Sequence, residues 1–295
     1  MLEFKDISIR DRDRINTALR KSDFMGCEYS FANNLAWCRL ADSRICFYKD
    51  FYIICAFGND DGIPVFTFPS GEGNYTELFG ELKKFSENMN YPLKISGVTE
   101  KSLEMLVNLF PDSFTAEYDR DGSDYIYRRN NLDELSGRKY HQKRSHLAKF
   151  NRLDYDFSLI CENDFDECIY FLTDNYNNKA DTEFSAVAEQ YAINTYFSNF
   201  RELELVGGII RIDGRISAVT IGEPLNSDTF CVHIEKADRS YDGIYTGINN
   251  CFVRACMDGF EYVNREEDLG IEGLRKSKLS YHPAFLLNKY ILTFK

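Results

Sequence analysis

Apolar residues recur along this chain with two periods, and the changes between them mark its elements. After a strand-like entry, Ile9, Ile15 and Leu19 fall at helical spacing within the first 21 residues. Runs of aromatic and β-branched residues then predict strands over 44–48 and 51–57, joined by Lys49-Asp50 as a hairpin, and a third over 64–68 ended by Pro69 and Gly71. A helix is expected over 75–90, a strand over 93–96, and a helix from about 100 to 110 capped by Thr99. Strands at 114–118 and 125–128 are expected on either side of an acidic turn, Asp119 to Gly122.

The pattern then restarts. A strand is expected over 155–161, helices over 164–177 and 186–200, and three successive strands over 203–212, 216–223 and 229–235, the first two joined by the Asp213-Gly214 turn. A glycine-containing loop leads into a helix that ends near Gly259, with Ile244, Ile248, Cys251, Phe252 and Ala255 on one face and Asp242 placed to cap it. Tyr262-Val263 reads as a strand, 271–281 as a helix stopped by Pro283, and 287–294 as a closing strand. This order predicts an α/β protein with mixed sheets in two halves, 1–135 and 153–295, joined by a basic connecting helix over 136–152.

Two helices carry charge where the period places apolar residues. On a wheel of 100° per residue, Ile271, Leu274 and Leu279 define the apolar face of the last helix, and Arg275 and Lys278 fall in the same arc. Long basic side chains are rarely buried without a partner, because stripping water from an unpaired cation is costly. Glu266, Glu267 and Asp268, one turn upstream, are one source of that partner, and a phosphate or carboxylate ligand is another. The connecting helix, Arg138 to Arg152, holds six Lys/Arg and two His with no acid. Its narrow apolar face is Tyr140, Leu147 and Phe150, with Lys143 inside it and Arg144 at its edge. It reads as a solvated linker or as a phosphate-binding helix serving a nucleotide, an RNA or a lipid headgroup. His141 and His146 have no spacing that favours a metal, and no metal site is expected.

Composition sharpens that contrast. At 295 residues, 44% hydrophobic and 28% charged, the chain has ample material for a core. Its net charge of −12 argues against non-specific binding to a polyanion and makes one concentrated basic stretch more informative. Nine cysteines form no CxxC pair and sit mostly in apolar runs, as expected of reduced core residues in a cytoplasmic protein. The charged opening and the lack of any long apolar run predict neither signal peptide nor membrane helix.

The order of elements in the second half resembles the GNAT acyltransferase fold. There the loop after the fourth strand and the following helix N-terminus bind pyrophosphate through backbone N–H groups. The loop here, Arg239 to Tyr245, departs from the usual Q/R-x-x-G-x-G/A pattern, with Gly243 one place late and the second glycine missing. A more specific resemblance covers the whole chain. The segments Lys139-Tyr140-His141-Gln142-Lys143-Arg144, His233-Ile234-Glu235-Lys236-Ala237, Val263 to Gly270 (VNREEDLG) and Leu274 to Pro283 (LRKSKLSYHP) resemble those of the phosphatidylglycerol lysyltransferase C-terminal-domain family. That family is a tandem of two GNAT-like domains related to the Fem aminoacyltransferases.

The resemblance implies transfer of an aminoacyl group from aminoacyl-tRNA to a lipid hydroxyl or an amine, with no further cofactor. Members that modify lipid carry a transmembrane region that this sequence does not contain. Such a reaction passes through a tetrahedral oxyanion and needs donors to that oxygen, a base for the acceptor and cations for phosphate. On this reading Lys143, Arg144 and Arg239 hold phosphate, Arg275 and Lys278 stabilise developing negative charge, Glu235 or Glu266 takes the acceptor's proton, and Tyr281 protonates the leaving hydroxyl. His146, Lys236, Gly243, Asn264, Arg265 and Asp268 complete the substrate-binding set. Two other readings remain open: an acetyl-coenzyme A-dependent N-acyltransferase acting on a small amine, and a non-catalytic module that binds tRNA or nucleotide phosphate.

Overall fold

In the computed structural model, which describes residues 2–59, 62–174 and 183–295, the chain folds as two compact units. Its elements begin with β1 (Lys5–Asp6), α1 (Arg12–Ser22), α2 (Phe31–Trp37), β2 (Ser43–Tyr48), β3 (Phe51–Ala56), β4 (Val65–Thr67), α3 (Tyr75–Asn88), β5 (Lys94–Thr99), α4 (Glu100–Leu109) and β6 (Phe114–Arg128). There follow α5 (Arg129–Glu134), α6 (His141–Phe150), β7 (Tyr155–Leu159), α7 (Phe165–Asp174), α8 (Glu183–Ser198), β8 (Val206–Ile212), β9 (Arg215–Pro224), β10 (Thr229–Ala237), α9 (Ile244–Cys256), β11 (Tyr262–Asn264), α10 (Glu272–Leu279) and β12 (Phe285–Phe294). Both hairpin turns read from the sequence are present: Tyr48 pairs Phe51 across Lys49-Asp50, and Ile212 pairs Arg215 across Asp213-Gly214. Asp213 and Gly214 both take positive φ, as that two-residue turn requires.

The first unit comprises Met1–Asp124 and Leu287–Lys295. Its strands follow the order β1-β2-β3-β4-β5-β12-β6, with β4 and β5 parallel. Phe51, Phe66, Phe68, Phe79, Leu82, Ile95 and Leu292 fill its core. A cation is also buried here. Nζ of Lys289, on β12, lies 2.7 Å from both Glu28 Oε2 and Asp124 Oδ1, and the Cys27 N–H donates to Asp124 Oδ2 at 2.8 Å. The second carboxyl oxygen of Glu28 is buried with no hydrogen-bond donor among the described residues. Burial, with Asp124 adding to it and Lys289 opposing, pushes the Glu28 carboxyl up to about 7.

The second unit, Tyr125–Leu286, orders its strands β6-β11-β10-β9-β8-β7. One side of the sheet is filled by Phe150, Ile210, Ala218, Ile244 and Ile248, and a second cluster gathers Tyr125, Tyr127, Phe230, Phe252 and Val263. The sequence reading placed a boundary at 135 and a separate connecting helix over 136–152. The compact units instead divide between Asp124 and Tyr125, the basic helix belongs to the second unit, and the last nine residues join the first.

Several elements differ from expectation for identifiable reasons. The two strands expected at 114–118 and 125–128 are one strand, β6. Asp119 Oδ1 accepts the Gly122 N–H at 2.9 Å and Ser123 Oγ donates to the Asp119 carbonyl at 2.6 Å, so the acidic turn is taken up within the strand. Gly243, in the left-handed conformation, is the N-cap of α9, while Asp242 instead pairs with Lys149 at 3.0 Å. The first of the two long helices ends its described course at Asp174, and the part expected over 175–177 lies outside the described residues. The largest difference is in α10: Ile271, Leu274 and Leu279 are 55%, 36% and 45% exposed, while Lys278 is 8% exposed. The helix docks by its cation and leaves its apolar residues outward. Of the nine cysteines, Cys161 alone is exposed.

Candidate functional site

β10 and β11 run parallel and pair only at their first residues, from Thr229 with Tyr262 to Cys231 with Asn264. β10 continues to Ala237, held by β9 on its other side, with a register shift between Val232 and Ile234. β11 ends at that last pair, and the segment that follows it meets β10 through side chains. Glu235 Oε1 accepts Arg265 Nη2 at 2.7 Å, and His233 Nδ1 lies 2.8 Å from Glu266 Oε1. Glu235 Oε2 also accepts Nδ2 of Asn249, from α9, at 3.0 Å.

Around that carboxylate the second unit gathers cations. The Arg265 guanidinium carbon lies 4.6 Å from the Tyr281 ring centroid, and Lys143 Nζ, from α6, lies 3.5 Å from the same ring. Tyr281 stands on the short segment after α10, 3% exposed, with its hydroxyl 3.4 Å from Thr246 Oγ1. Its ring meets Tyr127 of β6 edge to face at 6.5 Å. Arg265 Nη1 is buried with no acceptor among the described residues, and the Lys143 ammonium rests on the Tyr281 ring under the pull of Glu235. An unsatisfied guanidinium N–H and a neighbouring ammonium beside one carboxylate form a preorganised receptor for an oxygen that carries or develops negative charge.

The protonation of these groups follows from their surroundings. Burial, reinforced by Arg265, pulls the Lys143 ammonium down to about 8 against the pull of Glu235. Burial also works against the Arg265 charge, but Glu235, Tyr127 and Tyr281 together outweigh it and keep the guanidinium protonated. The Tyr281 hydroxyl is pushed up by burial, with Arg265 opposing, so it holds its proton at neutral pH. Lys236 pairs with Glu189 at 2.6 Å, and burial pulls the ammonium down and the carboxyl up, each to about 7.

The family profile described as phosphatidylglycerol lysyltransferase, C-terminal, matches residues 19–293. The chain belongs to this family. A crystal structure of a conserved protein of unknown function from Bacteroides thetaiotaomicron is 36% identical over 100% of both chains, with a TM-score of 0.93. L-PGS from Bacillus licheniformis is 14% identical, with 97% of this chain and 92% of that one covered and a TM-score of 0.69. FemX is 10% identical, with 98% and 96% covered and a TM-score of 0.63. The last two bear on the fold, which is a tandem of GNAT-like units. No curated protein matches by sequence.

The motifs that carry the family resemblance contribute unequally to the receptor. From the first come Lys143 and, on the same helix, Arg144, whose Nη1 donates to the carbonyls of Leu135 at 2.5 Å and Gly137 at 2.7 Å and so staples the preceding loop. Arg275 donates from Nε and Nη2 to the two oxygens of fully buried Asp268, at 2.8 and 2.7 Å, and Asp268 also accepts the Tyr125 hydroxyl at 2.5 Å. Lys278 donates to the carbonyls of Arg265, at 2.5 Å, and Glu267. Asn264 Oδ1 accepts the Glu266 N–H at 2.7 Å. These residues hold the segment that carries Arg265. Glu266 faces His233, and Arg239 is exposed on the loop before α9.

Gly243 and His146 meet where α6 crosses the start of α9. A Cβ on Gly243 would overlap the His146 carbonyl oxygen, and one on Gly247 would overlap the Phe150 ring. The sequence reading missed Asn249 and Tyr127. An adjacent pair of amides, Asn249-Asn250, inside an amphipathic helix was the available signal, since both are buried and both are hydrogen-bonded. Among the described residues no helix is long and apolar enough to cross a membrane.

Proposed function

We propose that the second unit transfers an aminoacyl group from aminoacyl-tRNA to the hydroxyl of a lipid headgroup or to an amine. The observation that carries this reading is the buried, unsatisfied Arg265 Nη1, with the Lys143 ammonium on the same tyrosine ring and Glu235 paired to Arg265. The acceptor's oxygen or nitrogen attacks the ester carbonyl carbon, and the carbonyl oxygen takes up negative charge that Arg265 and Lys143 stabilise. The bond from that carbon to the terminal ribose oxygen then breaks, and the acceptor's proton passes by way of Glu235 to the departing hydroxyl. Glu235 suits this role better than Glu266, which faces His233. Tyr281, its proton held tightly and its face covered by two cations, serves as the platform on which they are arranged. Arg275 and Lys278 are engaged by Asp268 and by backbone carbonyls, which favours a positioning role for both.

The packing of α6 favours tRNA over acetyl-coenzyme A as donor. Pyrophosphate binding at a helix N-terminus needs free N–H groups and room to approach them, and the first turn of α9 is covered by the backbone of His146 and the ring of Phe150. Thermal shift in low salt separates the donors. Charged tRNA at about 100 times its dissociation constant adds roughly 2.7 kcal/mol and raises the melting temperature more than uncharged tRNA does. Stabilisation by acetyl-coenzyme A with none by charged tRNA would overturn the reading.

A further inference from the structure

His233 is 1% exposed in its side chain and lies between two carboxylates: Nε2 is 3.0 Å from Glu223 Oε1, on β9, and Nδ1 is 2.8 Å from Glu266 Oε1, in the segment after β11. Carboxylate oxygens on both sides accept hydrogen bonds, so the geometry favours an imidazolium with a hydrogen on each ring nitrogen. Tyr196 of α8 stacks on it with centroids 5.7 Å apart, and Cys231 Sγ, on its own strand, is 3.7 Å from Nδ1. Burial acts against this charge, but Cys231, Tyr196 and Glu223 outweigh it and hold the imidazolium well above its usual range.

The place of this ion in the sheet gives it a task. Backbone pairing of β10 and β11 ends at Cys231, and the next links across the opening are His233 to Glu266 and Glu235 to Arg265. Glu266 has φ of 57°, a left-handed conformation that a non-glycine residue adopts only when its surroundings enforce it. Its N–H is held by Asn264 and its carbonyl by the Tyr125 N–H at 3.1 Å, while its carboxylate is held by His233.

We propose that the His233 imidazolium, clasped by Glu223 and Glu266, is a positioning residue that pins the Arg265–Glu266 segment across the open end of β10 and β11 and keeps Arg265 Nη1 beside Lys143. Loss of its proton leaves a ring lone pair facing one of the two carboxylates, which weakens the clasp on Glu266 and, through it, the hold on Arg265. The inference rests on the role given above to Arg265, and its test has one arm that needs no substrate.

In that arm, nitrogen-15 spectra of the wild-type protein follow the His233 ring and the Arg265 guanidinium against pH. Both His233 nitrogens should be protonated at neutral pH, and the Arg265 η signals, distinct while the group is held, should merge as His233 loses its proton. In the second arm, His233→Gln should lower kcat for aminoacyl transfer by about 10- to 100-fold with little change in KM, and should remove the alkaline fall in kcat seen in the wild type. Glu266→Gln should reproduce the kcat loss, which guards against a folding defect peculiar to one variant. A neutral His233 at pH 7, Arg265 signals indifferent to its titration, or an alkaline limb that survives in His233→Gln would overturn the proposal. So would stoichiometric metal on Cys231, His233 and Glu266 by elemental analysis, since the cation between Nδ1 and the carboxylate would then not be a proton. If the wild type transfers nothing, the functional reading fails, and the spectra alone decide the positioning role.

Discussion

Arg275 and Lys278 sit on one short helix and do similar work with different partners. Arg275 neutralises Asp268, which is 0% exposed, while Lys278 draws the carbonyls of Arg265 and Glu267 together. Arg275→Ala leaves Asp268 as a buried charge without its guanidinium. Because the Arg275 side chain is 32% exposed, the expected loss is roughly 2 kcal/mol, below the 3–5 of a fully buried pair. Lys278→Met removes two charge-assisted bonds to carbonyls and should cost about 2–3 kcal/mol. Denaturant unfolding checks both, and two unchanged midpoints would contradict the account. Helical period in the sequence correctly drew attention to cations at 143, 275 and 278, but it reports a direction on a helix and nothing about what waits there. Asp268 and two carbonyls wait for Arg275 and Lys278, and the Tyr281 ring for Lys143. Arg265 stood unremarked by periodicity because it lies in a loop, where no period exists.

At the scale of elements, the crossing of α6 over α9 shapes the site by closing the first turn of α9. Gly243 makes it possible twice over: φ of 83° needs a residue without a side-chain penalty, and the His146 carbonyl occupies the space a Cβ would take. Gly243→Ala combines left-handed strain with overpacking, roughly 2–5 kcal/mol together. A thermal melt should show a fall of many degrees, and a wild-type melting temperature would refute the close approach. The second half's strand and helix order was legible because its turns and periods are strong. The docking of α10 was not, because cations and apolar groups share one arc and the period does not say which of them finds partners. Hydrogen bonds from Lys278 and an ion pair from Arg275 outweighed the burial of Ile271, Leu274 and Leu279. The continuity of β6 was likewise hidden by turn-forming residues that the strand absorbs.

For the whole molecule, buried ionisable groups make stability depend on pH. Glu28 in the first unit is raised from 4.5 to about 7, so between those values the folded chain binds more protons than the unfolded one. Stability should therefore fall as pH rises from about 4.5 to about 7. His233, raised above 6.5, contributes a decline of its own at higher pH, against which the lowered ammonium groups of Lys143 and Lys236 act. Glu28→Gln should flatten the first part of this slope, which urea unfolding at pH 5 and pH 7 would measure; an unchanged slope would count against a raised Glu28.

The central claim is that Arg265, Lys143 and Glu235 stabilise and complete an aminoacyl transfer, and it is tested most directly by following a labelled aminoacyl group from tRNA. The assay offers bulk charged tRNA together with vesicles containing a hydroxyl-bearing anionic lipid, or with soluble amines, and separates product from free amino acid. Transfer by the wild type, lowered about 10²- to 10³-fold in Arg265→Gln assayed well below that variant's melting temperature, is the predicted result. Transfer that survives Arg265→Gln at the wild-type rate, or none from any charged tRNA to either acceptor class, would contradict it.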